Sequence, residues 1–275
     1  MSKNLLFLNK LYYIFNQLIL SAQEKPKVNK LITFISNYPC GITDIDISYL
    51  IHDAKLGIII NNCLFIGRKL ITKKELNNII YEISILLERE NIIQKTSIEF
   101  LDVFSNYGNI ICKIPRSIVR ILGLHTKAVH LNGFTKNNKI YISQRSVKKI
   151  INPNKLNTLV SGLVSHNEKV NVTLERESFE EAKIYKNQLY NRSKIKKLIN
   201  IYKNIDYGFQ NEEILSSNCL FNINQQFKNQ DGEISNFFLL SYEDLLYLIT
   251  KKYFTIESSL VLLDYLISYY KYKIK

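Results

Sequence analysis

Hydrophobic and polar residues alternate along two neighbouring stretches near the middle of the chain, residues 127–134 and residues 139–146. Alternation with a period of two predicts half-buried β-strands. The polar residues 136–138 between them are typical of a turn, so we predict two strands joined by a short loop. Further along, the pattern predicts helices near residues 241–250 and 257–270.

A helical pattern without Gly or Pro covers residues 170–182. At 3.6 residues per turn, Phe179 falls on one side of this helix, Glu177 and Glu181 fall on roughly the opposite side, and Glu180 lies on the flank. Like charges at this spacing repel, and carboxylates near a helix C-terminus also oppose the helix dipole. A bound hard cation such as Mg²⁺ would offset this repulsion. For this stretch alone, a solvated and charged helix face is the favoured interpretation.

The acidic helix belongs to a longer pattern with fixed distances between its members. It consists of a glycine, an upstream glutamate, an arginine–glutamate pair and a glutamate pair, at Gly162, Glu168, Arg176-Glu177 and Glu180-Glu181. Arg176 lies four residues before Glu180 and can pair with it, and it can also reach back to Glu168. The pattern resembles the Nudix box, the signature of hydrolases that cleave a diphosphate attached to another group.

The sequence around the box resembles the Nudix proteins related to thiamine pyrophosphokinase. The matching segments are residues 129–133, Arg145-Ser146 and residues 230–241. Upstream, residues 57–70 and 114–124 resemble the accessory domain of this subgroup. Two residues depart from the box: Lys183 stands where a glycine normally ends the helix at positive φ, and Ser178 stands at a usually apolar position.

The resemblance implies an α/β (α+β) fold class. A Nudix α/β/α sandwich with a mixed sheet is expected over residues 125–275. A smaller α+β accessory domain is expected over residues 1–124. The length of 275 residues is compatible with two domains.

The resemblance also implies a divalent metal, Mg²⁺ or Mn²⁺. Its expected ligands are the box carboxylates and one backbone carbonyl, namely Glu177, Glu180, Glu181 and Gly162. The metal would neutralise phosphate oxygens and activate a water for attack on phosphorus. The expected catalytic residues are Glu177, Glu180, Arg176 and, as an additional acid, Glu233. For Glu233 the alternative is a turn residue, since it follows Asp231-Gly232.

Substrate binding is assigned to Arg145, His130 and Asn132. The Arg145 guanidinium suits a phosphate, although a salt bridge at the strand end is an alternative. His130 can contact a ligand or belong to the core, and Asn132 can simply end its strand. His166 precedes the box and is expected to be exposed.

The subgroup suggests thiamine diphosphate, or its oxidised and damaged analogues, as the substrate. One alternative is a damaged nucleotide such as 8-oxo-dGDP. Another is a non-catalytic ligand-binding protein on a Nudix scaffold. The resemblance also leaves a homodimer open.

The chain carries a formal net charge of +13, with 30 Lys and 7 Arg that are scattered rather than clustered. We therefore expect no specific nucleic-acid partner, although the charge favours an anionic substrate. The apolar N-terminus is interrupted by Asn, Lys and Gln, which predicts an amphipathic helix packed on its own domain and no membrane partner. The cysteines form no CxxC pair, and a cytoplasmic location is expected.

Overall fold

The structure is a computed structural model that describes residues 3–68, 71–105, 107–149, 151–206 and 208–274. Lys69 and Leu70, which end one of the segments that resemble the accessory domain, lie outside the described residues.

The N-terminal part of the chain, residues 3–124, combines helices with small sheets. Its helices are α1 (Lys3–Ser21), α2 (Ile45–Asp53) and α3 (Lys73–Arg89). Its strands are β1 (Lys30–Ile35), β2 (Tyr38–Asp44), β3 (Ile58–Ile60), β4 (Cys63–Ile66), β5 (Phe100–Phe104) and β6 (Ile110–Pro115). Strands β2-β1-β4-β3 form one sheet in that order, with β1 and β4 parallel, and β5 pairs with β6. A 3₁₀ turn, Arg116–Ile118, follows β6.

The C-terminal part, residues 125–274, is built around a larger sheet. Its strands are β7 (His125–Phe134), β8 (Lys139–Arg145), β9 (Leu156–Thr158), β10 (Val160–Leu163), β11 (Lys196–Ile205), β12 (Gly208–Leu220) and β13 (Ile234–Ser241). Its helices are α4 (Val170–Ala182), α5 (Tyr242–Thr250) and α6 (Ile256–Ile274), and a 3₁₀ turn spans Lys186–Leu189.

The large sheet is mixed and runs in the order β11-β12-β7-β8-β13, with β10 added to β7 and β9 added to β8. Strands β12 and β7 are parallel, while β7 and β8 pair antiparallel. The predicted strand pair, turn and helices are therefore present with ends close to those expected. The mixed α+β class is confirmed.

Alternating residues of β7 show how the layers are arranged. Val129 and Leu131 pack in one hydrophobic cluster with Leu174 of α4. Ala128 packs in another cluster with Val261 of α6. Since neighbouring residues of a strand point to opposite faces, α4 and α6 cover the two faces of this sheet. The expected α/β/α layering of the C-terminal part is present.

Helix α1 does not pack where the sequence suggested. Its residues Leu8 and Leu11 are buried in a cluster with Leu262 and Leu266 of α6. The hydrophobic cluster of the N-terminal part is instead built from buried residues between Ile35 and Leu124. The expectation that α1 packs on its own domain is therefore wrong, because the apolar side of α6 provides its partner. Among the described residues, no helix has the length and apolar character needed to cross a membrane.

Candidate functional site

Helix α4 turns its acidic side toward strand β10. A Cβ atom on Gly162 would overlap Cγ, Cδ and Oε1 of Glu177, so glycine leaves the space that this carboxyl group occupies. Glu177 and Glu181 are 7% and 1% exposed, whereas Phe179 on the other side of the helix is 42% exposed. The acidic side of α4 is therefore its buried side, which a simple apolar-in pattern does not predict.

Arg176 connects the glutamates of the box. Its Nε and Nη2 donate to Glu168 Oε1 and Oε2 at 2.9 and 3.0 Å. Its Nη1 donates to Glu177 Oε1 and to Glu180 Oε2, both at 2.8 Å. The contacts with Glu168 and Glu180 that the spacing allowed are both present. A planar guanidinium is suited to such bidentate pairing.

Burial sets the acidity of the carboxyl groups on α4. It raises the pKa of Glu177 to about 7, although Arg176 acts in the opposite direction. Burial and the nearby Glu177 raise the pKa of Glu181 well above its usual value, even though the Ser161 N–H donates to Glu181 Oε2 at 2.8 Å. For Glu168, burial is outweighed by hydrogen bonds from Arg176 and Thr173, so its pKa is lowered. Two adjacent buried acids thus favour a positive charge beside them.

The expected metal ligands meet only part of what a cation site needs. Carboxylate oxygens are the donors that Mg²⁺ prefers, and the burial of Glu177 and Glu181 fits a neutralising cation. Arg176 engages one oxygen of Glu177 and one of Glu180, which leaves the second oxygen of each outside that contact. Within the described ranges, no group of three or more His, Cys, Asp or Glu side chains is arranged to hold a metal ion. The donor chemistry therefore fits, and the metal assignment stays a prediction.

The two departures from the box, Lys183 and Ser178, have different environments in α4. Lys183 adopts φ 53° and ψ 37°, and its N–H donates to Phe179 O at 2.9 Å. The N–H of Ile184 donates to Ser178 O at 2.9 Å, so two backbone carbonyls near the end of the helix have hydrogen-bond donors. Lys183 thus takes the left-handed conformation that a glycine would take. The Ser178 hydroxyl is buried and has no hydrogen-bond partner among the described residues.

Arg145 and Glu233 lie at the ends of two paired strands, β8 and β13. The Arg145 guanidinium donates to Ile151 O at 2.8 Å and to Asn152 O at 3.1 Å, which fixes it against its own loop. Burial lowers the pKa of Arg145, and the nearby Glu181 and Glu233 act against that change. The charges of Glu181 and Glu233 thus stabilise the protonated form of Arg145.

Glu233 forms an ion pair with Lys149. Burial acts to raise the pKa of Glu233, but the hydrogen bond from Lys149 outweighs it, and the pKa is lowered. The Glu233 N–H also donates to Asp231 Oδ1 at 2.8 Å, and Gly232 between them has φ 83°. Glu233 thus lies in a turn, which is the alternative that the sequence allowed for it. Its partner Lys149 was not identified from the sequence.

His130 and Asn132 are not brought together with the box glutamates. They share the face of β7 that α6 covers, since Asn132 Nδ2 donates to Val261 O at 3.3 Å. His130 Nδ1 lies 3.0 Å from Thr158 Oγ1, and burial lowers the pKa of His130 to about 4. Both side chains are therefore buried polar groups of the sheet core. Their assignment to substrate binding stays a prediction that this placement does not favour.

Two residues of the N-terminal part lie near the box without having been recognised in the sequence. Arg116 follows β6 and pairs with Glu99 through Nη1 and Oε2 at 2.6 Å. Burial acts to lower the pKa of Arg116, but Glu99 raises it, with smaller effects of Glu233 and Glu177, and the net direction is upward. The segment containing Arg116 was noted in the sequence, yet no local signal connected it with Glu177, because the connection depends on the fold.

A cavity of about 470 Å³ opens between strand β13 and the segment 223–227. Aromatic side chains line it together with amides, and these residues are Tyr141, Phe227, Phe237, Asn224, Gln225, Gln226 and Asn236. Tyr141 and Phe237 belong to the hydrophobic cluster on the α4 face of the sheet. The residues that follow this segment are tied to α4, because the Gln230 N–H donates to Glu180 O at 2.8 Å. The cavity and the box glutamates are therefore on the same side of the sheet.

No family model matches the chain. The sequence is 32% identical over 159 residues to "Nudix hydrolase 24, chloroplastic" of Arabidopsis thaliana, over 56% of this chain and 43% of that protein. It is 25% identical over 178 residues to the uncharacterized protein YJR142W of Saccharomyces cerevisiae, over 56% of this chain and 50% of that protein. The chain thus spans about half the length of these two relatives.

Solved structures give weaker similarities. DR0079 from Deinococcus radiodurans matches with a TM-score of 0.44 and 19% identity, over 56% of this chain and 90% of that one. The NUDIX domain of Shewanella oneidensis NrtR, complexed with ADP ribose, matches with a TM-score of 0.38 and 15% identity, over 55% and 89%. Both scores are below 0.5. The sequence match to a Nudix hydrolase is the finding that agrees with the resemblance in the box.

Proposed function

We propose that the chain is a divalent-metal-dependent Nudix hydrolase that cleaves the diphosphate of a small organic diphosphate. The observation that supports this most strongly is the contact between Gly162 and the Glu177 carboxyl group. Glycine at that position accommodates a buried carboxyl group beside a second one, Glu181. Such a pair is costly in a purely structural role, because adjacent buried carboxylates repel and lose hydration.

In this proposal Glu177, Glu180 and Glu181 hold Mg²⁺ or Mn²⁺, with the Gly162 carbonyl as a further oxygen ligand. The bound metal supplies charge neutralisation at the diphosphate and lowers the pKa of a coordinated water. The chain's own contribution is to hold the carboxylates in place. Arg176 does so for Glu177 and Glu180, and the Ser161 N–H does so for Glu181.

Glu233 has a different proposed part from the box glutamates. Its carboxylate pairs with Lys149, which stands in the segment that follows Arg145. We assign the proton-accepting role to a box glutamate and give Glu233 the role of holding Lys149 beside the site. Lys149 and Arg145 would then supply positive charge for the phosphates.

The proposed substrate carries a planar aromatic group, as thiamine diphosphate, its oxidised analogues and 8-oxo-dGDP all do. Tyr141 lines the cavity, and Arg145 lies four residues further along the same strand. At about 3.3 Å per residue, this separation is about 13 Å. That length suits a molecule whose aromatic end rests on the cavity and whose diphosphate reaches the acids. Aromatic and amide side chains are suited to stacking on such a ring and to hydrogen bonding its edge.

The test is metal-dependent phosphate or monophosphate release from a panel of thiamine diphosphates, oxidised nucleoside diphosphates, ADP-ribose and nucleotide sugars. We expect release from one class with Mg²⁺ or Mn²⁺, and a loss of at least about 100-fold in Glu180→Gln, the scale of a lost catalytic group. Glu175→Gln is the matched control, because Glu175 lies on the same helix and pairs with Lys186 instead. Equal activity of Glu180→Gln and Glu175→Gln would contradict the assignment.

A non-catalytic binding protein on a Nudix scaffold is the second candidate. It is favoured by the finding that no three-ligand metal group is arranged among the residues described. This candidate predicts that thiamine diphosphate or 8-oxo-dGDP binds without turnover and without a requirement for Mg²⁺. Calorimetric titration of both ligands, with and without Mg²⁺, separates the two candidates.

A further inference from the structure

Strand β5 of the N-terminal part lies against the loop that precedes helix α4. The His166 N–H donates to Phe100 O at 2.8 Å. His166 Nδ1 lies 2.5 Å from Asp102 Oδ1, and the Asn167 N–H donates to Asp102 Oδ2 at 3.3 Å. Asp102 is buried, and each of its two carboxylate oxygens contacts the loop. The loop before the box is thus attached to a strand from the other part of the chain.

Glu99, which directly precedes β5, makes a second attachment. The Ser165 hydroxyl donates to Glu99 Oε1 at 3.3 Å and accepts from Arg176 Nη2 at 3.4 Å. The other Glu99 oxygen accepts from Arg116 at 2.6 Å. A hydroxyl can donate one hydrogen bond and accept another, so these contacts are mutually compatible. They form a continuous path from Arg116 through Glu99 and Ser165 to Arg176.

The path ends at the residue that connects the box glutamates. Arg176 has a long side chain, and its contacts with Glu168, Glu177 and Glu180 require its guanidinium plane to have one orientation. Loops are the more mobile parts of proteins, and outer hydrogen bonds commonly orient the groups that contact a metal or substrate. A loop without the Glu99 and Asp102 contacts would leave this orientation less defined.

We propose that Glu99 and Asp102 are positioning residues, through which the N-terminal part holds the loop 165–167 and orients Arg176 toward the box glutamates. The positioning is a property of the fold. Its effect on catalysis rests on the proposed function. The experiment therefore measures the order of the loop and the rate of hydrolysis separately.

The first measurement is amide hydrogen exchange of the full chain over residues 165–168. We expect Glu99→Gln and Asp102→Asn to raise exchange there by about 10-fold or more, because each replaces a carboxylate oxygen that accepts from the loop with an NH₂ group that cannot accept. Glu90→Gln is the matched control, since Glu90 is an exposed carboxylate of the N-terminal part that pairs with Arg89. Exchange as slow as in the wild type in both variants would overturn the proposal, whether or not the chain hydrolyses any diphosphate.

The second measurement is kcat in a double-mutant cycle. We expect Glu99→Gln and Ser165→Ala each to lower kcat about 10-fold, the usual scale for outer-shell contacts, with KM little changed. The combined variant should lose little more than either one, since both interrupt the same path. Ser165→Thr retains a hydroxyl and should restore most of kcat. The path would be contradicted if the kcat losses of Glu99→Gln and Ser165→Ala multiplied in the combined variant. It would also be contradicted if kcat of Ser165→Thr were as low as that of Ser165→Ala.

General destabilisation is tested with Thr72→Ala. Thr72 caps helix α3 and accepts a hydrogen bond from the Glu75 N–H, far along the chain from the loop. This variant weakens the N-terminal part without removing a contact to residues 165–167. An equal fall of kcat in Thr72→Ala and Glu99→Gln would overturn the positioning role. If the wild type hydrolyses nothing in the panel, the proposed function fails, and the exchange data alone decide the proposal.

Discussion

Gly162 of strand β10 and the carboxyl group of Glu177 lie so close together that a methyl group at residue 162 would overlap Cδ and Oε1 of Glu177. We expect Gly162→Ala to displace that carboxyl group from its contact with Arg176. The free energy of unfolding should fall by about 1–3 kcal/mol, the usual cost of overpacking, while metal-dependent hydrolysis is largely lost. Urea unfolding and kcat on the same preparation provide the check. A fully active Gly162→Ala would show that the position of Glu177 does not matter.

The guanidinium group of Arg176 is the second site for a test substitution. Arg176→Lys keeps the positive charge but cannot contact Glu168, Glu177 and Glu180 in one plane. We expect a stability loss of about 1–2 kcal/mol, because charge-assisted hydrogen bonds are lost from a half-buried site. We also expect kcat to fall, and by a larger factor than the loss of stability alone would cause. Chemical unfolding and steady-state kinetics measure the two effects. A lysine variant with wild-type kcat would show that charge alone suffices.

His130 gives a pH prediction with a defined sign. Burial lowers its folded-state pKa to about 4, below the usual value of 6.5. A depressed pKa means that the stability contribution is complete above pH 6.5 and is lost as the pH falls toward 4. The difference corresponds to about 3 kcal/mol.

We expect His130→Gln to flatten the fall in stability between pH 6.5 and 4. Unfolding free energies at several pH values, compared with the wild type, measure this. His52→Gln is a control on an exposed helix position. An unchanged acid profile in His130→Gln would mean that His130 becomes protonated without cost.

Lys183 predicts a stabilising substitution. Its φ of 53° is one that a non-glycine residue adopts at a cost of about 1–2 kcal/mol, partly offset by the flexibility that glycine adds to the unfolded chain. We expect Lys183→Gly to raise the free energy of unfolding by about 0.5–1 kcal/mol and to leave kcat unchanged. A thermal or urea melt measures the change. Lower stability would show that the Lys183 side chain contributes more than its backbone costs.

The cavity beside β13 predicts an effect on binding. Gln226 is an exposed residue of its lining. If the aromatic end of the substrate rests there, Gln226→Ala should raise KM several-fold and leave kcat nearly unchanged, because the contact exists equally in the ground state and the transition state. Gln17→Ala on helix α1 serves as a remote control. A KM that does not change for any substrate of the panel would place the aromatic group elsewhere.

The local features of the site could be predicted from the sequence. The contacts of Arg176 with Glu180 and Glu168 follow from residue spacing. Residues this close in sequence lie near each other whatever the rest of the chain does. The helix itself spans the predicted residues 170–182. Its end at Lys183 was harder to foresee, since backbone hydrogen bonds from Lys183 and Ile184 complete the helix end without a glycine.

Features that depend on contacts between residues far apart in sequence could not be predicted, because the sequence pattern carries no information on which elements pack together. Alternation in β7 identifies a strand but does not say which side faces α4, so it does not reveal that α6 covers His130 and Asn132. The attachment of Glu99 to Ser165 joins residues far apart in sequence. The burial of the acidic side of α4 depends on the space above Gly162, which one-dimensional periodicity does not encode.

Helix α1 has a consequence for how the protein forms. Helix α1 is synthesised well before its partner α6, so Leu8 and Leu11 stay uncovered until the intervening residues 22–255 have been made. Contacts between segments so far apart in sequence slow folding, because closing the long loop between them costs entropy. A fragment cut at residue 124 would carry α1 away from the sheet it stabilises and leave the apolar side of α6 bare. Residues 125–274 thus depend for part of their packing on a helix from the other part of the chain.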